Sequence, residues 1–105
     1  MKRTLLIDTS DNKLIKVGLR MGEKEDLRVQ PVDQRRAQVV LPLVELLLEK
    51  HNLTLTDLTE IEVTDGPGSF TGLRVGVTIA NTLAYLLKIP LNGKKIGEMV
   101  EPRYT

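Results

Sequence analysis

Two short segments of this chain carry residue types that could hold a phosphate group or a divalent cation. The first follows an apolar stretch near the N-terminus, and the second opens a glycine-rich stretch in the middle of the chain. Carboxylate oxygens bind Mg²⁺ beside phosphate oxygens, and glycine amides at a helix start can approach a phosphate closely because glycine has no Cβ. The candidate phosphate or metal residues are Asp8, Thr9 and Ser10 in the first segment, and Asp65, Gly66, Gly68 and Ser69 in the second.

These residues also have a structural interpretation. Asp at the end of a strand most often caps a turn, and this interpretation is favoured for Asp8 and Asp65. The glycine-rich stretch is not a P-loop, because it lacks the Gly-Lys-Ser/Thr ending whose lysine reaches the phosphates. We therefore expect no resident metal or cofactor, and we expect ATP with Mg²⁺ to bind only if a partner chain completes the site.

The elements that position these segments follow from the hydrophobic pattern. The N-terminal third predicts an antiparallel three-stranded meander, and strands then alternate with helices. Such an order is typical of an α/β domain with a mixed sheet and crossover helices, in which Asp8 and Asp65 would end neighbouring strands at one edge. The predicted strands cover residues 4–7, 14–21, 27–30, 60–64 and 91–96, and the predicted helices cover residues 34–52 and the region from the glycine-rich stretch to about residue 88.

The first helix carries more apolar residues than one packing face needs. One face is formed at helical spacing by Ala37, Val40, Leu41, Val44, Leu47 and Leu48, and a second by Val39, Leu43 and Leu46. Pro42 lies inside this pattern. It either kinks an established helix, at a cost of about 3 kcal/mol, or lies in the first turn of a helix that begins near Leu41.

The second helix carries a stripe of small residues. The stripe recurs every four residues and consists of Gly68, Gly72, Gly76, Ala80 and Ala84. Glycine destabilises a helix interior by about 1 kcal/mol relative to alanine, so close packing against another backbone is the physical reason to keep it. For Gly72 packing against the chain's own sheet is favoured. For the rest we expect a helix–helix contact across an interface.

Composition excludes several classes of protein. The chain has 105 residues, no cysteine and one histidine, which leaves no thiolate chemistry, no zinc–thiolate site and no protease site. The net charge of +1 gives no global field for nucleic acid, and the three aromatic residues form no platform for base stacking. The local clusters Arg35-Arg36, Lys94-Lys95 and Arg103 remain candidate contact points, although solvated surface charge is favoured. The N-terminus has no secretion signal and no run is expected to reach membrane-spanning length, so we expect a small cytoplasmic domain without a membrane role.

The glycine-rich string GPGSFTGLRVG at residues 66–76, with Ile7-Asp8-Thr9-Ser10 upstream, resembles the bacterial TsaB (YeaZ) family. The resemblance implies a single actin-like, ribonuclease-H-like lobe: an α/β fold with a mixed five-stranded sheet of order 3-2-1-4-5 and helices packed on it. Family members usually carry a second lobe, so the resemblance covers the first lobe only. This lobe would span residues 1–97, and a C-terminal tail that we expect to fray would follow at residues 98–105.

The resemblance also implies a function. Members of the family are non-catalytic partners of a TsaD-like enzyme, and with a TsaE-like ATPase they help to place threonylcarbamoyl on the adenosine next to the tRNA anticodon. The resemblance implies docking on the TsaD-like subunit, or homodimerisation in isolation, through the two long helices, with tRNA contacted only indirectly. The interface residues expected on this basis are Val39, Leu43, Leu46, Leu47, Gly72, Leu73, Arg74, Gly76, Ala80 and Ala84. The alternative is a nucleotide- and Mg²⁺-binding lobe completed in trans.

Overall fold

The chain folds into a four-stranded sheet with two long helices packed on it. The computed structural model describes residues 1–32 and 36–104. Within them the elements are β1 (Arg3–Asp8), β2 (Leu14–Met21), β3 (Lys24–Pro31), α1 (Arg36–Lys50), a 3-10 turn (Leu55–Asp57), β4 (Glu60–Val63) and α2 (Phe70–Leu87).

The sheet has the order β3-β2-β1-β4. β1 pairs antiparallel with β2 and β2 with β3, which confirms the predicted meander. β4 pairs parallel with β1, so Leu5 lies between Leu19 on one side and Ile61 on the other. A strand with a neighbour on each side and helices above it is buried, and this explains the apolar character of β1.

The predicted fifth strand at residues 91–96 is absent from the part of the chain that the structure describes. Leu91 forms a single parallel bridge with Ile61. The side chain of the next residue, Asn92, forms hydrogen bonds with both backbone groups of Val63. Val63 N donates to Asn92 Oδ1 at 2.7 Å, and Asn92 Nδ2 donates to Val63 O at 3.0 Å. Asn92 and Gly93 have φ values of 52° and 72°, which turn the chain away from the sheet. The sheet therefore has four strands and not five.

Both helices pack on one face of the sheet. The core joins Leu5 and Ile7 of β1, and the inward residues of β2, to Val40 and Val44 of α1 and to Val77 of α2. The residues of opposite parity line the other face, where Leu6, Lys16, Arg20 and Leu27 border a groove of about 710 Å³. There Arg20 Nη2 lies 2.6 Å from Glu62 Oε2.

α1 begins at Arg36, so the expectation of a helix start near Leu41 is wrong and Pro42 lies inside the helix. Pro42 has no N–H to donate to the carbonyl one turn earlier, and burial of one apolar face offsets that loss. Val40, Val44, Leu47 and Leu48 are buried. The second apolar face differs: Val39 and Leu43 are half-buried, and the Leu46 side chain is 65% exposed.

α2 is long and apolar enough to cross a membrane by length and composition alone. This corrects the expectation that no segment reaches that length. The core helix of a soluble protein passes the same test, and α2 buries Leu73, Val77 and Ala80 in the lobe. The finding is therefore weak evidence for a membrane span.

Candidate functional site

The two candidate segments meet at the edge of the sheet where β1 and β4 end. Ser69 N donates to Ser10 O at 2.8 Å, and a Cβ on Gly68 would lie 2.7 Å from Ser10 Cβ. Ser69 is the N-cap of α2, and its Oγ accepts from Gly72 N at 3.3 Å. The close approach of the two segments explains why residue 68 is glycine, since any side chain would collide with Ser10.

Thr9 fastens β1 to the first turns of α2. Its side chain is fully buried, and its Oγ1 donates to Gly72 O and accepts from Gly76 N at 3.1 Å. A Cβ on Gly76 would lie 2.3 Å from that oxygen. Gly76 therefore makes room for the Thr9 hydroxyl, which is bonded within the chain and buried away from any ligand in solvent.

The two carboxylates each have a partner within the chain. Asp8 Oδ1 accepts from Ser10 N at 3.0 Å and from Ser10 Oγ at 2.6 Å, which is the turn-capping interpretation. Asp65 Oδ1 lies 2.8 Å from Arg103 Nη2. Among the described residues no cluster of three or more His, Asp or Glu could hold a metal ion.

Residues 98–104, named here the C-terminal strap, pack against the lobe instead of fraying as expected. Val100 is 3% exposed, and its N–H and C=O are both bonded to the amide of Asn81, at 2.9 and 2.8 Å. Arg103 N donates to Asp65 O, and Arg103 Nη2 donates to Gly66 O at 3.0 Å. Gly66, at φ 145°, has no room for a Cβ, which would lie 1.9 Å from Arg103 O. The strap thus covers the glycine turn.

The structure divides the expected interface residues into two groups. Gly76, Ala80 and Ala84 of the small-residue stripe face the chain's own sheet, because Thr9 and the core cover them. They leave no surface for the helix–helix contact across an interface that the sequence led us to expect. The residues buried in the lobe are Leu47, Gly72, Leu73, Gly76, Ala80 and Ala84. The residues with surface left for a partner are Val39, Leu43, Leu46 and Arg74.

Sequence reasoning missed the large exposed side chain at the start of α2. Phe70 is 57% exposed. It borders a groove of about 380 Å³ between the helices, named here the helix-pair groove, which is lined by Ala37, Phe70, Thr71, Arg74, Val75, Thr78 and Ile79. The small-residue stripe is the sequence pattern from which the exposure of Phe70 could have been predicted. Since it marks the face against the sheet, apolar residues half a turn away mark the exposed face.

Aromatic and cationic groups meet at one end of the helix-pair groove. The ring of Phe70 stacks on that of Tyr104, with centroids 4.4 Å apart and planes inclined by 29°. The guanidinium carbon of Arg74 lies 5.5 Å from the Phe70 centroid, within cation–π range. This corner joins α2 to the C-terminal strap.

The strongest electrostatic cluster lies away from these surfaces, between β3 and the end of α1. Hydrogen bonds from Arg28, then His51 and Lys50, hold the pKa of Asp26 well below its usual range. His51 Nε2 and Lys50 Nζ lie 2.9 and 3.3 Å from Asp26 Oδ2. At the 3-10 turn, a hydrogen bond from the Thr54 backbone lowers the pKa of Asp57. The ion pairs of Asp26 connect β3, which is an edge strand of the sheet, to the end of α1.

The chain is similar to proteins of tRNA threonylcarbamoyladenosine biosynthesis. The family model of TsaD, tRNA N6-adenosine threonylcarbamoyltransferase, matches residues 30–94. The TsaB biosynthesis protein of Bacillus subtilis is 38% identical over 88 residues, which cover 84% of this chain and 38% of that protein. The tRNA N6-adenosine threonylcarbamoyltransferase of Shouchella clausii is 40% identical over 60 residues, 57% of this chain and 18% of that enzyme.

The fold agrees with these sequence matches. YeaZ from Pseudomonas aeruginosa superposes with a TM-score of 0.82 at 28% identity, over 90% of this chain and 44% of that one. The chain thus spans less than half the length of these relatives. The matched region contains α1, β4, the glycine turn and α2, which are the elements that build the surfaces described above. The chain belongs to the TsaD family of actin-like proteins, and within it to the TsaB (YeaZ) type.

Proposed function

We propose that this chain is a non-catalytic subunit in the biosynthesis of threonylcarbamoyladenosine in tRNA, which docks on a TsaD-like subunit through α1 and α2. The observation that carries the proposal is the apolar surface that the two helices leave uncovered. Leu46 of α1 is 65% exposed, and Phe70 of α2, which borders the helix-pair groove, is 57% exposed. Exposed apolar surface on a small domain is typical of an interaction site.

The contacts of the candidate phosphate or metal residues support a non-catalytic role. The hydroxyl of Thr9 is buried in α2, and the carboxylates of Asp8 and Asp65 are held by Ser10 and Arg103. A phosphate or Mg²⁺ at this edge would compete with those partners for the bonded oxygens. We infer that the chain holds no cofactor of its own, and that ATP with Mg²⁺ would need a partner chain to complete the site.

A TsaD-like subunit is the preferred partner because it is related to this chain over both helices. Glu45 and Glu49 are exposed on α1, and Arg74 is exposed on α2. The helix pair thus carries charges of both signs, and a partner helix pair with complementary charges would favour one register of docking. The same geometry permits a homodimer when the partner is absent. A TsaE-like ATPase completes the cytoplasmic complex, and this chain contacts tRNA only through its partners.

Leu46→Glu tests the docking surface. Full burial of a leucine contributes about 1.5–3 kcal/mol to the free energy of docking. A carboxylate buried in the interface also has a desolvation cost, beyond the loss of the leucine contact. We therefore expect docking to weaken about tenfold or more. The measurement is titration calorimetry against the TsaD-like subunit of the same organism, with light scattering of the chain alone to detect dimers.

The matched control is Val29→Glu on β3. Val29 is 50% exposed, lies away from both helices, and is paired across the sheet with Lys16, which can accommodate the new charge. We expect this variant to dock normally. Equal affinities for Leu46→Glu, Val29→Glu and the unmodified chain would show that the helix pair is not the docking surface.

Calorimetry with ATP and Mg²⁺ tests the alternative of a nucleotide-binding lobe. We expect no binding by the chain alone, because its carboxylates and hydroxyl already have partners. Binding by the isolated chain that Asp8→Ala abolishes would replace the scaffold proposal with a nucleotide site.

A further inference from the structure

The C-terminal strap reaches the same corner of the molecule as the helix-pair groove. Its Tyr104 ring covers one side of Phe70, while Arg74 lies over the ring at 5.5 Å. Phe70 nevertheless stays 57% exposed and Tyr104 stays 40% exposed. The pair is therefore not core packing, since both residues keep a large part of their surface in solvent.

The strap is fixed in place at two positions that precede this contact in the chain. Arg103 holds Asp65 and Gly66 through its backbone and its guanidinium, and Asn81 holds Val100. Tyr104 follows Arg103 directly, so its ring cannot drift far while those bonds persist. A stacked neighbour restricts the two χ angles of Phe70 and keeps its ring at the mouth of the groove.

We propose that Tyr104 is a positioning residue of the docking surface: it holds the Phe70 ring ready for the TsaD-like subunit. This inference rests on the proposed docking function. Fixing a side chain before association removes the entropy that the complex would otherwise lose, so a preorganised aromatic anchor binds more tightly than a free one. Tyr104 thereby makes the strap a third segment of the surface, beside α1 and α2.

The occupant of this corner is a helix of the TsaD-like subunit, which corresponds to α2 here. The TsaD family model covers α2 and its glycine turn, so a partner of that family presents a related helix start. The cationic Arg74 beside Phe70 fits a partner that places a carboxylate or helix C-terminal carbonyls next to an apolar side chain. A second copy of this chain is the competing occupant and is distinguished by the test below.

The experiment is a double-mutant cycle on the 105-residue chain, measured by calorimetry against the TsaD-like subunit. Stacked aromatic pairs are worth enough that Tyr104→Ala is expected to weaken docking by about two- to tenfold. Tyr104→Phe keeps the ring and is the matched control, expected to dock normally. In a Phe70→Ala background, Tyr104→Ala is expected to have no further effect, because its role passes through Phe70.

Different results separate this inference from the docking proposal on which it rests. If Leu46→Glu abolishes docking but Tyr104→Ala leaves it unchanged, the docking surface stands and the role of Tyr104 is refuted. Additive losses from Tyr104→Ala and Phe70→Ala would also refute it, because a positioning role requires coupling. If Tyr104→Ala alters only dimerisation of this chain, the assigned occupant is wrong. Thermal unfolding followed by circular dichroism identifies any variant that loses affinity by unfolding. If Tyr104→Ala unfolds, Arg103→Ala, which loosens the strap at the neighbouring residue, is measured in its place.

Discussion

Replacing Gly76 with alanine sets two physical effects against each other inside α2. In an isolated helix the substitution is favourable by about 1 kcal/mol, because alanine is the better helix former. In this chain the new Cβ would lie 2.3 Å from Thr9 Oγ1 and 3.3 Å from Thr9 Cβ and Cγ2. Real Cβ atoms do not approach an oxygen that closely, so either α2 or the end of β1 must move.

The packing effect is the larger of the two. Thr9 is fully buried, and displacing it breaks its bonds to Gly72 and Gly76. Overpacking of a core site costs about 1–3 kcal/mol, and loss of two buried hydrogen bonds adds about 1–2 kcal/mol. After subtraction of the helix-propensity gain, we expect Gly76→Ala to lower the free energy of unfolding by about 1–4 kcal/mol.

Urea unfolding of four variants measures this effect. Thr9→Ala alone is expected to cost about 1–2 kcal/mol through the loss of the same two hydrogen bonds, and in the Gly76→Ala background it is expected to restore part of the loss, because the colliding oxygen is gone. Thr78→Ala, on the exposed side of α2, is the control for helix propensity and is expected to be neutral or slightly stabilising. A Gly76→Ala variant as stable as the unmodified chain would refute the packing account of the stripe.

Two further predictions concern contacts away from the Thr9–Gly76 site. Because its native pKa is depressed below 3.8, Asp26 stabilises the fold above the ordinary carboxyl pKa and loses that effect as pH falls through its native pKa. Asp26→Asn is therefore expected to lower the melting temperature at neutral pH, with a gap to the unmodified chain that narrows below about pH 4; a gap that widens in acid would contradict the assignment. Asn81→Ala leaves the buried N–H and C=O of Val100 unpaired, and we expect it to cost about 1–3 kcal/mol in urea unfolding, whereas Thr82→Ala, one residue along on the exposed side, is expected to cost far less.

The sheet and the helices were largely predictable from the sequence. Alternation in β2 and helical spacing in α1 are local patterns, so the meander and both helices could be recognised without tertiary information. The start of α1 was the exception, since Pro42 gave a local signal that burial of Val40 and Val44 overrode. The prediction of a fifth strand was wrong for a similar reason. The side chain of Asn92 forms the hydrogen bonds to β4 that the backbone of a fifth strand would otherwise have formed.

The surface could be predicted only in part, because spacing does not say what a face packs against. The stripe around Gly76 had the expected small residues, but the close neighbour is the Thr9 hydroxyl of the same chain and not a second protein. The strap was not foreseeable. Its contacts, such as Arg103 with Asp65 and Val100 with Asn81, join residues far apart in sequence through polar groups that leave no periodic pattern.

The contacts of Leu91 and Asn92 with β4 also limit how this protein can associate. Ile61 N donates to Pro90 O and Ile61 O accepts from Asn92 N, while Val63 is bonded to the Asn92 amide on both backbone groups. The outer rim of β4 therefore has no unpaired backbone groups at these positions to recruit a strand from a neighbouring molecule. Edge-to-edge growth of the sheet, the usual route to fibrils, is closed on that side.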